Sequence, residues 1–241
     1  MMSQLKTVYF ALDFETGIEA VQFLKKHRLE GIPVKVGMEL FYREGAEVIN
    51  QLKQQGHDIF LDLKLHDIPE TVRRSMRNIA KLEVDVVNVH AQGGKTMMRA
   101  AKEGLEEGAQ GKRPVLLAVT MLTSSDQTMV EEELLLSHKL PEVVRHFAEI
   151  AEKSGMDGVV CSVEEAELVK THTNLLTLTP GIRLNGGETH DQKRVATPEV
   201  ANEKGSDAIV VGRAIREADD PAAAYEQIKE AFHNEEPTTH Q

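Results

Sequence analysis

Tryptophan is missing from these 241 residues, and aromatic side chains amount to only 4%. A platform on which single-stranded bases stack one after another is therefore excluded. Cysteine occurs once, as Cys161, so no disulfide can form within the chain and a reducing compartment fits. Cys161 ends the apolar run Gly158-Val159-Val160 and reads as core packing. No apolar stretch approaches the roughly 18 residues of a membrane span, and the start, Met1-Met2-Ser3-Gln4-Leu5-Lys6, carries no basic-then-apolar leader. The expectation is a soluble cytoplasmic chain without a membrane partner. Basic charge is in deficit too. Lys and Arg number 28 against 39 Asp and Glu, a net charge of −11, and no basic stripe exists to follow a nucleic-acid backbone. A small anionic ligand stays open, because bulk charge is screened within about 8 Å at physiological salt. The ten histidines are scattered without metal-ligand spacing. No Gly-rich nucleotide turn follows the first apolar run, where Ala11-Leu12-Asp13-Phe14-Glu15 stands instead. Neither a metal nor an organic cofactor is expected.

What is present is a large apolar fraction, 41%, enough for one barrel-sized core or two small ones. Short apolar runs recur at 8–12, 34–36, 59–63, 86–89, 115–119, 158–161, 175–178 and 208–211. Between them lie segments with helical spacing, such as Ile18, Val21, Phe23 and Leu24. Many of the runs are nearly continuous and rich in branched residues, as in strands buried on both faces. Eight strand–helix units without a linker describe a single (β/α)8 TIM barrel over 1–233, with a doubly wound open sheet as the alternative. The stretch 123–139 reads as an insertion after the fifth strand, its Glu131-Glu132-Glu133 run a solvated helix start. The polar tail 234–241 reads as a disordered end.

In this barrel, sites lie at the carboxyl ends of the strands. Polar residues closing the runs are Asp13, Lys35, the pair Asp62 and Lys64, His90, Thr120 with Thr123, the stretch Pro180 to Arg183, and Gly212-Arg213. Asp62 and Lys64 share one face of a strand while Leu63 and Leu65 take the other. A carboxylate and an ammonium on an inward face survive only if paired. Asp67 follows where the chain turns into a helix opened by Ile68-Pro69-Glu70-Thr71. Taken singly, Asp13 and Thr123 could be helix caps, Lys35 a snorkelling side chain and His90 a satisfied core histidine. Their convergence on one rim is what points to a site. Thr179-Pro180-Gly181-Ile182-Arg183 and Val211-Gly212-Arg213-Ala214-Ile215 suit a phosphate grip, because Gly allows close backbone approach and Arg offers a bidentate fork. Asn185-Gly186-Gly187, within 184–191, suits a mobile lid followed by Gln192.

Asp62-Leu63-Lys64-Leu65-His66-Asp67-Ile68-Pro69, Thr179-Pro180-Gly181-Ile182-Arg183 and Val211-Gly212-Arg213 together resemble the orotidine 5′-phosphate decarboxylase family in its bacterial form. The resemblance runs from Ala11-Leu12-Asp13 to Ala218-Asp219-Asp220-Pro221, and Met121 stands where a branched apolar residue is expected. It implies decarboxylation of orotidine 5′-monophosphate to uridine 5′-monophosphate in pyrimidine synthesis, with no cofactor. Lys64 is then the ammonium that stabilises and protonates a C6 carbanion, and Asp62 lies against the substrate carboxylate. Lys35 and Asp67 complete an alternating charge chain Lys35–Asp62–Lys64–Asp67. By the same resemblance Asp67, Ile68 and Thr71 come from a partner subunit, making a homodimer with shared sites. Asp13 and Lys35 contact ribose hydroxyls, Thr123 and Ser124 the pyrimidine edge, and Gln192, Gly212 and Arg213 the phosphate, with Pro180 and Arg183 close by.

Two rivals share the barrel. A metal-dependent sugar-phosphate decarboxylase or aldolase needs an acidic residue on the second strand to hold magnesium, and this chain has Lys35 there. A non-catalytic phosphate-binding module has no use for a buried chain of alternating charges.

Overall fold

A computed structural model describes residues 4–183 and 196–233. Eight parallel strands close into a barrel in sequential order: β1 (Val8–Ala11), β2 (Val34–Gly37), β3 (Ile59–Leu65), β4 (Val86–His90), β5 (Val115–Val119), β6 (Gly158–Val160), β7 (Leu176–Thr179) and β8 (Ala208–Val211). Each of the eight expected runs became a strand. Helices α1 (Gly17–Lys26), α2 (Met38–Glu44), α3 (Ala46–Gln54), α4 (Pro69–Ala80), α5 (Gly94–Gly108), α6 (Leu140–Lys153), α7 (Val163–His172), α8 (Pro198–Glu203), α9 (Arg213–Arg216) and α10 (Pro221–His233) cover the outside. The expected lid at 184–191, Gln192 and the tail 234–241 lie outside the described residues.

Alternating strand residues fill two cores. Inside the barrel, Tyr9, Phe60, Val115, Leu117, Leu178 and Val210 pack together, with Tyr9 set edge-on to Phe60 at 6.0 Å between ring centroids. Between strands and helices lies a larger shell that includes Phe10, Leu24, Ile49, Leu61, Met76 and Leu105. Burial on both faces is why the runs read as continuous apolar stretches.

The amino-terminal end of the barrel is stitched by aspartates. Asp85, Asp157 and Asp207 each precede an even-numbered strand, and each carboxylate accepts the N–H of the neighbouring odd-numbered strand. The bonds are Ile59 N to Asp85 at 2.8 Å, Leu116 N to Asp157 at 2.7 Å and Thr177 N to Asp207 at 2.7 Å. Asp157 is also clasped by both terminal nitrogens of Arg113 at 2.8 Å, and Asp207 by Lys170 at 2.5 Å. Among the described residues no cation clasps Asp85, and burial pushes its carboxyl pKa up. This end is committed to stability, which leaves the opposite rim to function.

Two local features shape that rim. Gly104 and Gly108 on α5 lie directly under the Arg73 and Arg77 carbonyls of α4, where any Cβ would collide with backbone. The two helices therefore cross in backbone contact and fix the segment after β3. In the insertion after β5, the three glutamates form a single π turn, Met129–Glu133, exposed around buried Val130. That corrects the expected start of an ordinary helix.

Candidate active site

A cavity of about 260 Å³ opens at the carboxyl ends of the strands. Its wall includes Asp13 after β1, Lys35 on β2, Asp62 and Lys64 on β3, Thr123 after β5, Pro180 and Arg183 after β7, and Gly212 and Arg213 after β8. Among the described residues, four cations and two carboxylates thus line one pocket in a strongly acidic chain. Local charge favours an anion where net charge would repel one.

The charges are arranged in pairs. Lys64 Nζ lies 2.7 Å from Asp62 Oδ1, and Lys35 Nζ lies 2.7 Å from Asp13 Oδ1. Lys35 thus pairs with Asp13 rather than Asp62, so the four-charge chain is not continuous within one subunit. Lys64 sits at φ +49°, a left-handed backbone that costs a branched or long side chain about 1–3 kcal/mol. The β3–β4 pairing shifts register between Leu61 and Leu65 at the same place. Asp62 and Lys64 do face one cavity, but through a bent backbone and not through a plain pleat.

The partner that holds this bend was not singled out from the sequence. Asn88, in the middle of β4 and 1% exposed, donates to Asp62 Oδ1 at 2.7 Å and accepts the Lys64 N–H at 2.8 Å. The available signal was a lone polar residue inside the apolar run Val86-Val87-Asn88-Val89. Cys161, read as packing, is indeed buried, and it also forms part of the cavity wall.

Other expected residues fall elsewhere. Asp67 and Thr71 line a second depression with Met38, Tyr42 and His66. Lys64 is common to both depressions. Asp67 Oδ1 accepts the Ile68 N–H at 2.6 Å; Ile68 is 67% exposed and Tyr42 71%. Ser124 is exposed and outside the cavity wall. The Thr120 hydroxyl is buried and donates to the Val160 carbonyl at 3.2 Å, a structural role. His90 is half-buried beside His66, and its pKa is lowered first by burial, then by the charges of His66 and Lys64. Met121 lines the cavity and accepts from Gln92 Nε2 at 3.4 Å, a contact a branched apolar residue could not make. Gly212 leaves little room for a side chain, since a Cβ there would meet Asp13 Oδ2 at 3.3 Å.

Residues 6–228 match the sequence pattern of the orotidine 5′-phosphate decarboxylase / HUMPS family. The chain belongs to that family. A protein of Geobacillus sp. (strain WCH70) named orotidine 5′-phosphate decarboxylase is 50% identical over 230 residues, covering 94% of this chain and 96% of its own. One of Bacillus cereus (strain AH820), with the same name, is 52% identical over 235 residues, covering 96% and 98%. Among solved structures, orotidine 5′-phosphate decarboxylase from Lactobacillus acidophilus superimposes with a TM-score of 0.84 at 43% identity, covering 95% of this chain and all of that one. The enzyme of that name from Pyrococcus horikoshii OT3 gives 0.74 at 26% identity, with the same coverage. Family members therefore keep this barrel over nearly the whole chain.

Proposed function

We propose that this chain decarboxylates orotidine 5′-monophosphate to uridine 5′-monophosphate, in the cytoplasm, without a metal or organic cofactor. The single observation that carries the reading is the Lys64–Asp62 pair at 2.7 Å in a cavity that also holds Arg183 and Arg213. The barrel order puts β3 across from β7, so the paired charges and Arg183 stand on opposite sides of the pocket, with Arg213 following the adjacent β8. A ligand with a reactive ring at one end and a phosphate at the other suits that separation. The names carried by relatives at 50% and 52% identity support it independently.

The chemistry follows from the charges. The bond between C6 and the carboxylate breaks, its electron pair stays on C6, and carbon dioxide leaves. No ring position delocalises that pair well, so a preorganised cation beside C6 is the main available stabilisation. The Lys64 ammonium supplies it and then passes a proton to C6, regaining one from solvent. Asp62 faces the departing carboxylate, and their repulsion falls as carbon dioxide leaves. Lys35 with Asp13 holds the ribose hydroxyls, Thr123 meets the pyrimidine edge with Ser124 reaching in from just outside the cavity wall, and Arg213, Gly212 and Gln192 hold the phosphate near Arg183 and Pro180.

The working unit in this reading is a homodimer. Asp67, Ile68 and Thr71 of one subunit reach the Lys64 of the other. Support comes from Met38 and Tyr42, which line the second depression, and from Ile68, which follows Asp67 in the chain: all three are exposed, large side chains that a second copy would cover.

The magnesium-dependent sugar-phosphate reading is disfavoured by Lys35, whose ammonium stands beside Asp13 and would repel a divalent ion. Protein dialysed exhaustively against a chelator should form uridine 5′-monophosphate at its undialysed rate. Loss of turnover on chelation, with recovery on adding magnesium, would favour the rival.

A further inference from the structure

Asn88 is the one polar residue buried in the middle of β4, and both ends of its carboxamide are engaged on β3. Among the described residues only Lys64 and Asn88 donate to Asp62, and both bond to Oδ1 at 2.7 Å. The amide orientation is fixed by chemistry, because the reverse would set a carbonyl against a carboxylate. The Lys64 N–H, turned out of the strand ladder by its positive φ and the register shift, is met by Asn88 Oδ1 instead.

We propose that Asn88 is a positioning residue for the reaction. Its carboxamide locks the Lys64 bend and the Asp62 carboxylate into one rigid unit that sets the ammonium against the reacting carbon. This rests on the decarboxylase reading given above. A side chain of this length must donate to a carboxylate and accept from an amide at once, which Asn does and Asp or Leu cannot. Leu removes both bonds while keeping the number and branching of the side-chain heavy atoms. Asp keeps an acceptor for Lys64 but turns a second negative charge on Asp62. The phosphate and ribose contacts lie on other strands and are left alone.

The test compares Asn88→Leu and Asn88→Asp with the parent protein. Steady-state turnover of orotidine 5′-monophosphate and equilibrium binding of uridine 5′-monophosphate are both measured, after folding is checked by circular dichroism. A misplacement of about 1 Å at a reacting centre costs on the order of 10²-fold. Both variants should therefore lose about that much in kcat, with KM and product Kd within about threefold of the parent. A general packing role would instead raise KM and product Kd along with the loss of rate, and that outcome overturns the proposal. So does an Asn88→Leu protein with kcat within about threefold of the parent. If Asn88→Asp fails to fold because it buries a charge, the neutral Asn88→Leu protein decides. Failure of both to fold assigns Asn88 to stability and also overturns the proposal. A parent protein that leaves orotidine 5′-monophosphate untouched would sink the decarboxylase reading itself, a result separable from any of these.

Discussion

Taking the Lys64 ammonium and the Asp62 carboxylate out of water costs several kcal/mol for each ion before their attraction is counted. The 2.7 Å contact and the Asn88 amide offset part of that, and the left-handed backbone at Lys64 adds a further cost. A site that keeps such costs in every copy of the protein is expected to use them in the reaction. The phosphate end works differently, through binding energy far from the bond that breaks. Arg213→Ala should therefore lower kcat/KM for orotidine 5′-monophosphate by about 10²-fold, as losing one partner of a charged hydrogen-bonded pair does. Orotidine, which lacks the phosphate, should be turned over by Arg213→Ala and parent at rates within about threefold of each other. Equal losses on the two substrates would remove Arg213 from the phosphate grip. The charged residues of the cavity were legible in the sequence because each interrupts or ends an apolar run. Asn88 was not, since an amide inside a strand carries no charge to mark it, and its role depends on a bend in the neighbouring strand.

At the scale of elements, the eight strands were legible because burial on both faces leaves an unbroken apolar run, with boundaries within two residues of those observed. The bend in β3 was not, because Asp62-Leu63-Lys64-Leu65 alternates as a regular strand would, while the register shift arises from pairing with β4. Similarly, Glu131-Glu132-Glu133 signals a helix start, whereas the chain there makes a π turn around the buried Val130. The aspartate stitches make the amino-terminal end of the barrel testable. Asp157→Ala would leave Arg113, with 16% side-chain exposure, without its carboxylate and the Leu116 N–H without its acceptor. Both partners are part-buried, so the loss should fall toward the lower end of the roughly 3–5 kcal/mol that breaking a buried pair from one side costs. Urea unfolding should show a loss of that size, with KM for orotidine 5′-monophosphate unchanged because the cavity lies at the other end of the barrel. A loss below about 1 kcal/mol would mean that the stitch is ornamental.

At the scale of the molecule, one barrel explains why residues from 13 to 213 meet in one cavity, and that much was readable from strand order alone. What one chain leaves open is the side of Lys64 that faces the second depression. If Asp67 acts across a two-fold axis, Lys64→Ala and Asp67→Ala subunits should complement each other. In a mixed dimer one site carries both changes and the other carries neither. Random exchange at equal amounts puts about half the dimers in the mixed state, so roughly a quarter of parental activity should return. Activity that stays at the level of the two variants, with exchange verified by mass, would place Asp67 in its own subunit's chemistry.

The central claim is that Lys64 both stabilises and protonates C6. The most direct measurement follows the reaction of orotidine 5′-monophosphate in D2O with chelator-treated protein, reading the product by proton NMR and mass. The account predicts uridine 5′-monophosphate carrying one deuterium at C6, formed by the parent, with Lys64→Ala still folded and slower by at least about 10²-fold. Turnover by Lys64→Ala within about tenfold of the parent, or no product from the parent until a divalent metal is restored, would contradict it.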